Sequence, residues 1–110
     1  MMSAGLVLGL ALSAGETLAQ DLTEGMDDTE VAYEAGDVIG GARACGYMLD
    51  MTKVEAFIQT RIAKMQGRDR DRFRTAVDIR DYQLIEMGEN ERTAQCILQR
   101  ELAKKYGFAK

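Results

Sequence analysis

Cys45 and Cys96 are the only cysteines of this 110-residue chain, and they come after an N-terminal stretch with the marks of an export signal. Two cysteines in one exported domain usually pair, so the sequence predicts a single disulfide. Two unpaired buried thiols are the alternative. A Cys45–Cys96 bridge closes a loop of about 52 residues, for which chain entropy gives roughly 4 kcal/mol. In a small domain that is a large share of the total stability.

The export expectation rests on residues 1–19. Leu6 to Leu12 form an apolar run, and Thr17 and Ala19 put small side chains where a signal peptidase reads them. Cleavage is expected after Ala19. The n-region has no Lys or Arg, and Glu16 lies in the c-region, two departures from the usual pattern. The apolar run is far shorter than the roughly 20 residues of a spanning helix. No stable membrane insertion is therefore expected after cleavage, and the location is expected to be periplasmic or secreted. About ninety residues remain, enough for one domain with a modest core. Only Glu16 is lost from the charge count, so a net charge of −4 becomes about −3, too mild to name a partner.

Charge distribution says more than its sum. Asp21, Glu24, Asp27, Asp28 and Glu30 are joined by no base, so residues 20–30 are expected to be an acidic, flexible, solvated arm before a helical domain at 31–110. The middle of the chain carries Arg61, Lys64, Arg68, Arg70, Arg72, Arg74 and Arg80, interleaved with Asp69, Asp71, Asp78 and Asp81. Alternating signs of this kind usually mark a solvated helix. With export expected and no nucleic-acid-binding motif accompanying the basic band, nucleic acid is not expected as a partner.

Hydrophobic periodicity predicts an all-α, small four-helix single domain. Val31, Ala35, Val38, Ala42, Cys45 and Leu49 share one helical face. Thr52 and Glu55 form a capping box, succeeded by a stripe of Val54, Phe57, Ile58, Ile62 and Met65, with Gly67 as the stop. A third helix is expected from about Asp69 or Asp71 to Met87, with Phe73, Ala76, Val77, Leu84 and Met87 on one side and Gly88 as its stop. Asn90 can cap the fourth, whose stripe is Ala94, Ile97, Leu98 and Leu102, ending near Gly107.

Two features strain this pattern. At 100° per residue Cys96 falls nearly opposite Leu98 and Leu102, so either the fourth helix is covered on two sides or its register differs. The first helix carries Gly36, Gly40, Gly41 and Gly46, each costing roughly 1 kcal/mol against Ala. Gly36, Gly40, Ala44, Tyr33 and Tyr47 lie opposite the Val31 stripe. That side has three readings: a neighbouring backbone approaches closely there, the helix kinks near Gly40-Gly41, or Tyr33, Gly36, Gly40 and Tyr47 form an apolar patch for a partner.

After Ala19 there is no Ser, His, Trp or Pro. That removes the serine triad, the cysteine–histidine pair, the imidazole metal site and haem attachment. Carboxylate pairs such as Glu34 with Asp37 or Asp50 with Glu55 exist, but 18 acids in a small helical chain make such pairs unavoidable. Gly36 to Gly46 lacks the strand and the Lys-Ser/Thr of a phosphate loop. Cys45, Met48 and Met51 recur at three-residue steps, a soft set that would suit Cu(I) unless the disulfide consumes the thiolate. Arg80 sits inside an apolar stripe, where it can snorkel, pair with a buried acid such as Asp50, or face a partner.

In layout, with an export signal, about ninety helical residues and one long-range disulfide, the chain resembles the small periplasmic acid-stress chaperones. Cys45-Gly46-Tyr47 and then Asp50 resemble the Cys, Gly-Tyr and Asp pattern of the all-helical type VI amidase-immunity proteins. The first likeness covers length and cysteine spacing and the second only this short stretch, so neither carries over a binding residue. The chain therefore reads as a small exported, non-enzymatic domain that binds another protein as a chaperone, inhibitor or immunity protein, with no cofactor. The alternative is a Cu(I) or redox carrier using Cys45, Met48 and Met51.

Overall fold

The computed structural model describes residues 25–110, which are all-α apart from one isolated bridge between Leu49 and Ala109. The expected signal peptide and residues 20–24 of the acidic arm lie outside the described residues. Five α-helices run in order: α1 (Asp28–Gly40), α2 (Ala42–Cys45), α3 (Met51–Phe57), α4 (Gly67–Glu86) and α5 (Glu89–Tyr106). A π-helical turn, Ile58–Ile62, extends α3.

The end of the acidic arm is helix rather than solvated coil. Asp27 caps α1 by accepting from the Glu30 N–H at 2.8 Å, and Asp28 and Glu30 occupy the first turn, where the helix dipole favours acids. Asp28 also pairs with Arg61, and the Thr29 hydroxyl donates to Asp69 at 2.8 Å. Asp69 is buried and also accepts from Arg72, so its charge is compensated.

The first expected helix is broken. Gly41 separates α1 from α2, and Gly46, at φ 73°, ends α2 one turn later in the left-handed region that a side chain disfavours. Asp50, not Thr52, caps α3: its carboxylate accepts from the N–H groups of Thr52 and Lys53. At the other end of α3 the Ala63 N–H reaches back five residues to the Ile58 carbonyl at 2.8 Å, which closes the π turn. Gly67 opens α4 instead of stopping the helix before it.

Helices α1 and α4 run parallel, with Thr29 of α1 beside Asp69 and, past the break, Ala44 of α2 beside Asp81. Gly36 and Gly40 make this approach possible. A Cβ at Gly36 would stand 2.6 Å from the Ala76 Cβ, and one at Gly40 would stand 2.8 Å from the Val77 Cα. The core collects Val31, Ala35 and Val38 of α1 with Val54, Phe57, Phe73, Tyr106 and Phe108. The rings of Phe57, Tyr106 and Phe108 lie 5.0 to 5.5 Å apart, and Asp50 N–H donates to the Phe108 carbonyl at 2.6 Å, which fastens the C-terminus beside α3.

Cys45 and Cys96 are bonded, S–S 2.09 Å, and pack with Leu84 in a second small cluster. The bridge sets the register of α5. Its buried residues are Cys96, Gln99, Ala103 and Tyr106, while Ile97 and Leu98, expected to be core, are more than half exposed. Gln99 can be buried because Arg80, Tyr47 and the disulfide sulfur satisfy it, so the apolar stripe is left outside.

The glycine contact and the disulfide each lead to a stability measurement. Gly40→Ala should destabilise by about 2 kcal/mol despite its better helix propensity, because two backbones must separate; chemical denaturation of the oxidised protein measures this. Cys45→Ala/Cys96→Ala should remove about 4 kcal/mol by loop entropy, lowering Tm by roughly 15 °C or more. Thiol titration of the unsubstituted oxidised protein should find none.

Candidate functional site

Of the four residues expected to form a partner face, the structure leaves only Tyr33 open, half exposed on α1. Gly36 and Gly40 lie against α4, where their missing side chains admit Ala76 and Val77. Tyr47 lies in the link after α2, half-buried; its hydroxyl donates to the Val38 carbonyl and accepts from Gln99 Nε2 at 3.2 Å. Burial raises its pKa above the usual tyrosine value, with the Gln99 hydrogen bond acting against this. The expected flat patch is therefore an interior contact, because the break at Gly41 and the turn at Gly46 direct Tyr47 inward.

Tyr33 instead stands at the mouth of a groove of about 460 Å³ between α1 and α5. One wall is the α1 stripe of Glu30, Glu34 and Asp37, residues that share a face at helical spacing. The other wall is Leu98 and Leu102 of α5, with Met26 at one end. Leu98 is 58% exposed and Tyr33 50%, so the groove shows apolar surface to solvent from both sides.

Arg80 of α4 lines the groove between these walls, and two of its three sequence-based readings do not hold. It neither snorkels nor meets Asp50, which is occupied as a helix cap. Its Nε donates to Gln99 Oε1 at 2.6 Å, and its two terminal nitrogens donate to Gln83 at 3.2 Å and Gln95 at 3.1 Å. Three neutral amide oxygens hold the guanidinium flat without neutralising it. The acids above it are held too. Glu34 accepts from the Tyr106 hydroxyl at 2.9 Å, and burial together with that bond raises the Tyr106 pKa, keeping it a donor. For Asp37, burial raises the pKa above 3.8; Arg80 opposes the shift and Glu34 adds to it.

The sulfur trio does not assemble. Cys45 is bonded to Cys96, Met48 lies in an extended link, and Met51 begins another helix, with the two methionines 70% and 53% exposed. Of the carboxylate pairs, Asp50 is taken up as the cap of α3, while Glu34 and Asp37 stay neighbours on α1, with Glu34 bonded to Tyr106. No protein-family model, curated protein or solved structure matches this chain.

Asp37 gives a signed test. Its raised pKa means that the folded protein keeps a proton that the unfolded chain has lost, so this group's contribution falls as pH rises from 3.8 through the raised value. Asp37→Asn should therefore raise Tm at pH 7, with the gain fading as pH drops below the ordinary carboxylate range. A lower Tm at pH 7 would mean that attraction to Arg80 outweighs burial.

Proposed function

We propose that this chain is a small exported, non-enzymatic protein-binding domain of the chaperone, inhibitor or immunity type, and that the α1–α5 groove receives a cationic amphipathic segment of its partner. The observation that carries this reading is the composition of the groove walls. Three acids face two leucines across a trough with an aromatic side chain at its mouth. Arg80 is the one base lining it, and it lies at the floor, leaving the acids in excess.

Such a surface suits binding better than chemistry. A partner side chain such as Lys or Arg meets a carboxylate while its neighbours cover Leu98 and Tyr33, and exposed apolar area supplies the affinity that charge alone does not. The held geometry of Arg80 and Glu34 favours recognition, since little side-chain freedom remains to be lost on binding. The disulfide supports export, because a bond of this kind persists in an oxidising compartment.

The test uses the oxidised full chain and two synthetic helical peptides with identical leucine spacing, one carrying lysines and the other glutamates on the polar face. The lysine peptide should bind, lose affinity with added salt, and bind at least about 1 kcal/mol more weakly to Tyr33→Ala and to Leu98→Ala, whose melting temperatures should hardly change. Equal binding of the two peptides, or an unaltered affinity for Leu98→Arg, would remove the groove as the site. Capture from an exported-protein fraction by the original chain but not by Leu98→Arg would then identify the natural partner.

A further inference from the structure

A second trough lies between the π turn and α4 and has the opposite electrical character. It measures about 340 Å³, with Ile58, Ile62, Phe73 and Val77 making an apolar bed. Arg70 and Arg74 stand along one bank, and Asp78 closes the same bank at the far end. The π turn forms one side of it and α4 the other, with Ile62 and Phe73 buried between them.

The two arginines are available to a ligand. Arg70 is oriented by one terminal nitrogen donating to the Met65 carbonyl at 2.7 Å, which leaves the rest of its guanidinium fork uncommitted to a carboxylate. Arg74 meets Asp71 only loosely, at 3.6 Å with both side chains more than 70% exposed. Along α4, Arg70 to Asp78 spans about 12 Å at the helical rise, a length over which the trough offers a continuous apolar bed beside two cations. A single alkyl chain would lie in it, with its charged end at the arginines and its apolar end toward Val77, an orientation that Asp78 favours by repelling the carboxylate from that end. The volume is at the lower end of small-ligand pockets, and a mostly apolar lining with a few orienting polar groups is their usual form.

We infer that this trough binds a free medium-chain fatty acid, its carboxylate held by Arg70 and Arg74 and its chain on Ile58, Ile62, Phe73 and Val77. Binding here is independent of the α1–α5 groove, so failure of one site leaves the other untouched. Titration of the oxidised full chain with monomeric decanoate, monitored through the methyl resonances, tests it. Decanoate should bind saturably and shift Ile58, Ile62 and Val77 while leaving Leu98 and Leu102 unmoved. Arg70→Gln/Arg74→Gln should weaken decanoate about tenfold or more and leave decanol unchanged, as expected when charge-assisted bonds are lost. Ala63→Glu, an exposed position on the opposite bank, should weaken decanoate without disturbing the fold even if the double variant is unstable. No saturable binding, decanol bound as tightly as decanoate, shifts centred on Leu98, or binding only to vesicles of phosphatidylglycerol would overturn the assignment.

Discussion

The backbone contact between α1 and α4 at Gly36 and Gly40 is the constraint on which the other features rest. Missing side chains let the two helices run parallel at a separation that any Cβ would prevent. Parallel helices joined by the shorter α2 and α3, the π turn and the links between them leave α5 to return antiparallel, with Arg80 of α4 meeting Gln95 and Gln99 of α5. Were α1 farther from α4, Arg80 could not floor a groove walled by Glu30, Glu34 and Asp37. The helix-propensity cost of two glycines is thus offset by packing, the usual outcome when tertiary contact and local preference disagree.

A polar seam accompanies that contact. Gln99 joins Arg80 to Tyr47, Tyr47 reaches the carbonyl of Val38, and Arg100 donates to the carbonyl of Cys45 beside the disulfide. No buried side-chain polar atom among the described residues lacks a partner. A seam in which every member is satisfied rigidifies the region it crosses, whereas a partly satisfied one would weaken it. The disulfide and the seam hold the same junction of α2 with α5, so the covalent link constrains the unfolded chain and the hydrogen bonds select one register in the folded one.

The sequence shows clearly whatever depends on local pattern. The all-α class, the core residues Val31, Ala35, Val38, Val54 and Phe57, and the pairing of Cys45 with Cys96 are legible there. Features decided by distant partners are not. The cap moves from Thr52 to Asp50 because the Asp50 N–H is taken by the Phe108 carbonyl, far along the chain, and the backbone there is already extended. The face of α5 is misread because Ile97 and Leu98 outweigh Gln99 on any hydropathy scale, while Gln99 is buried through bonds that no local window contains. One signal does reach the right answer: a register anchored on Cys96 places Gln99, Ala103 and Tyr106 on its own side of the helix. The groove also has a readable trace, since Glu30, Glu34 and Asp37 recur at helical spacing, but its second wall emerges only once Leu98 is known to face outward.

The mild net charge conceals a separation of sign that matters for association. Acids line the α1 side of one trough, and arginines of the first half of α4 line one bank of the other. Each set lies within roughly a Debye length of its own trough at physiological ionic strength, so an approaching ligand senses the local bank rather than the sum over the chain. Such fields chiefly raise encounter rates and orient the ligand, while residence time depends on the apolar beds, Leu98 and Leu102 in one trough and Ile58 and Val77 in the other. The two ligands proposed for these troughs would therefore not compete, because acids that attract a cationic segment repel a carboxylate.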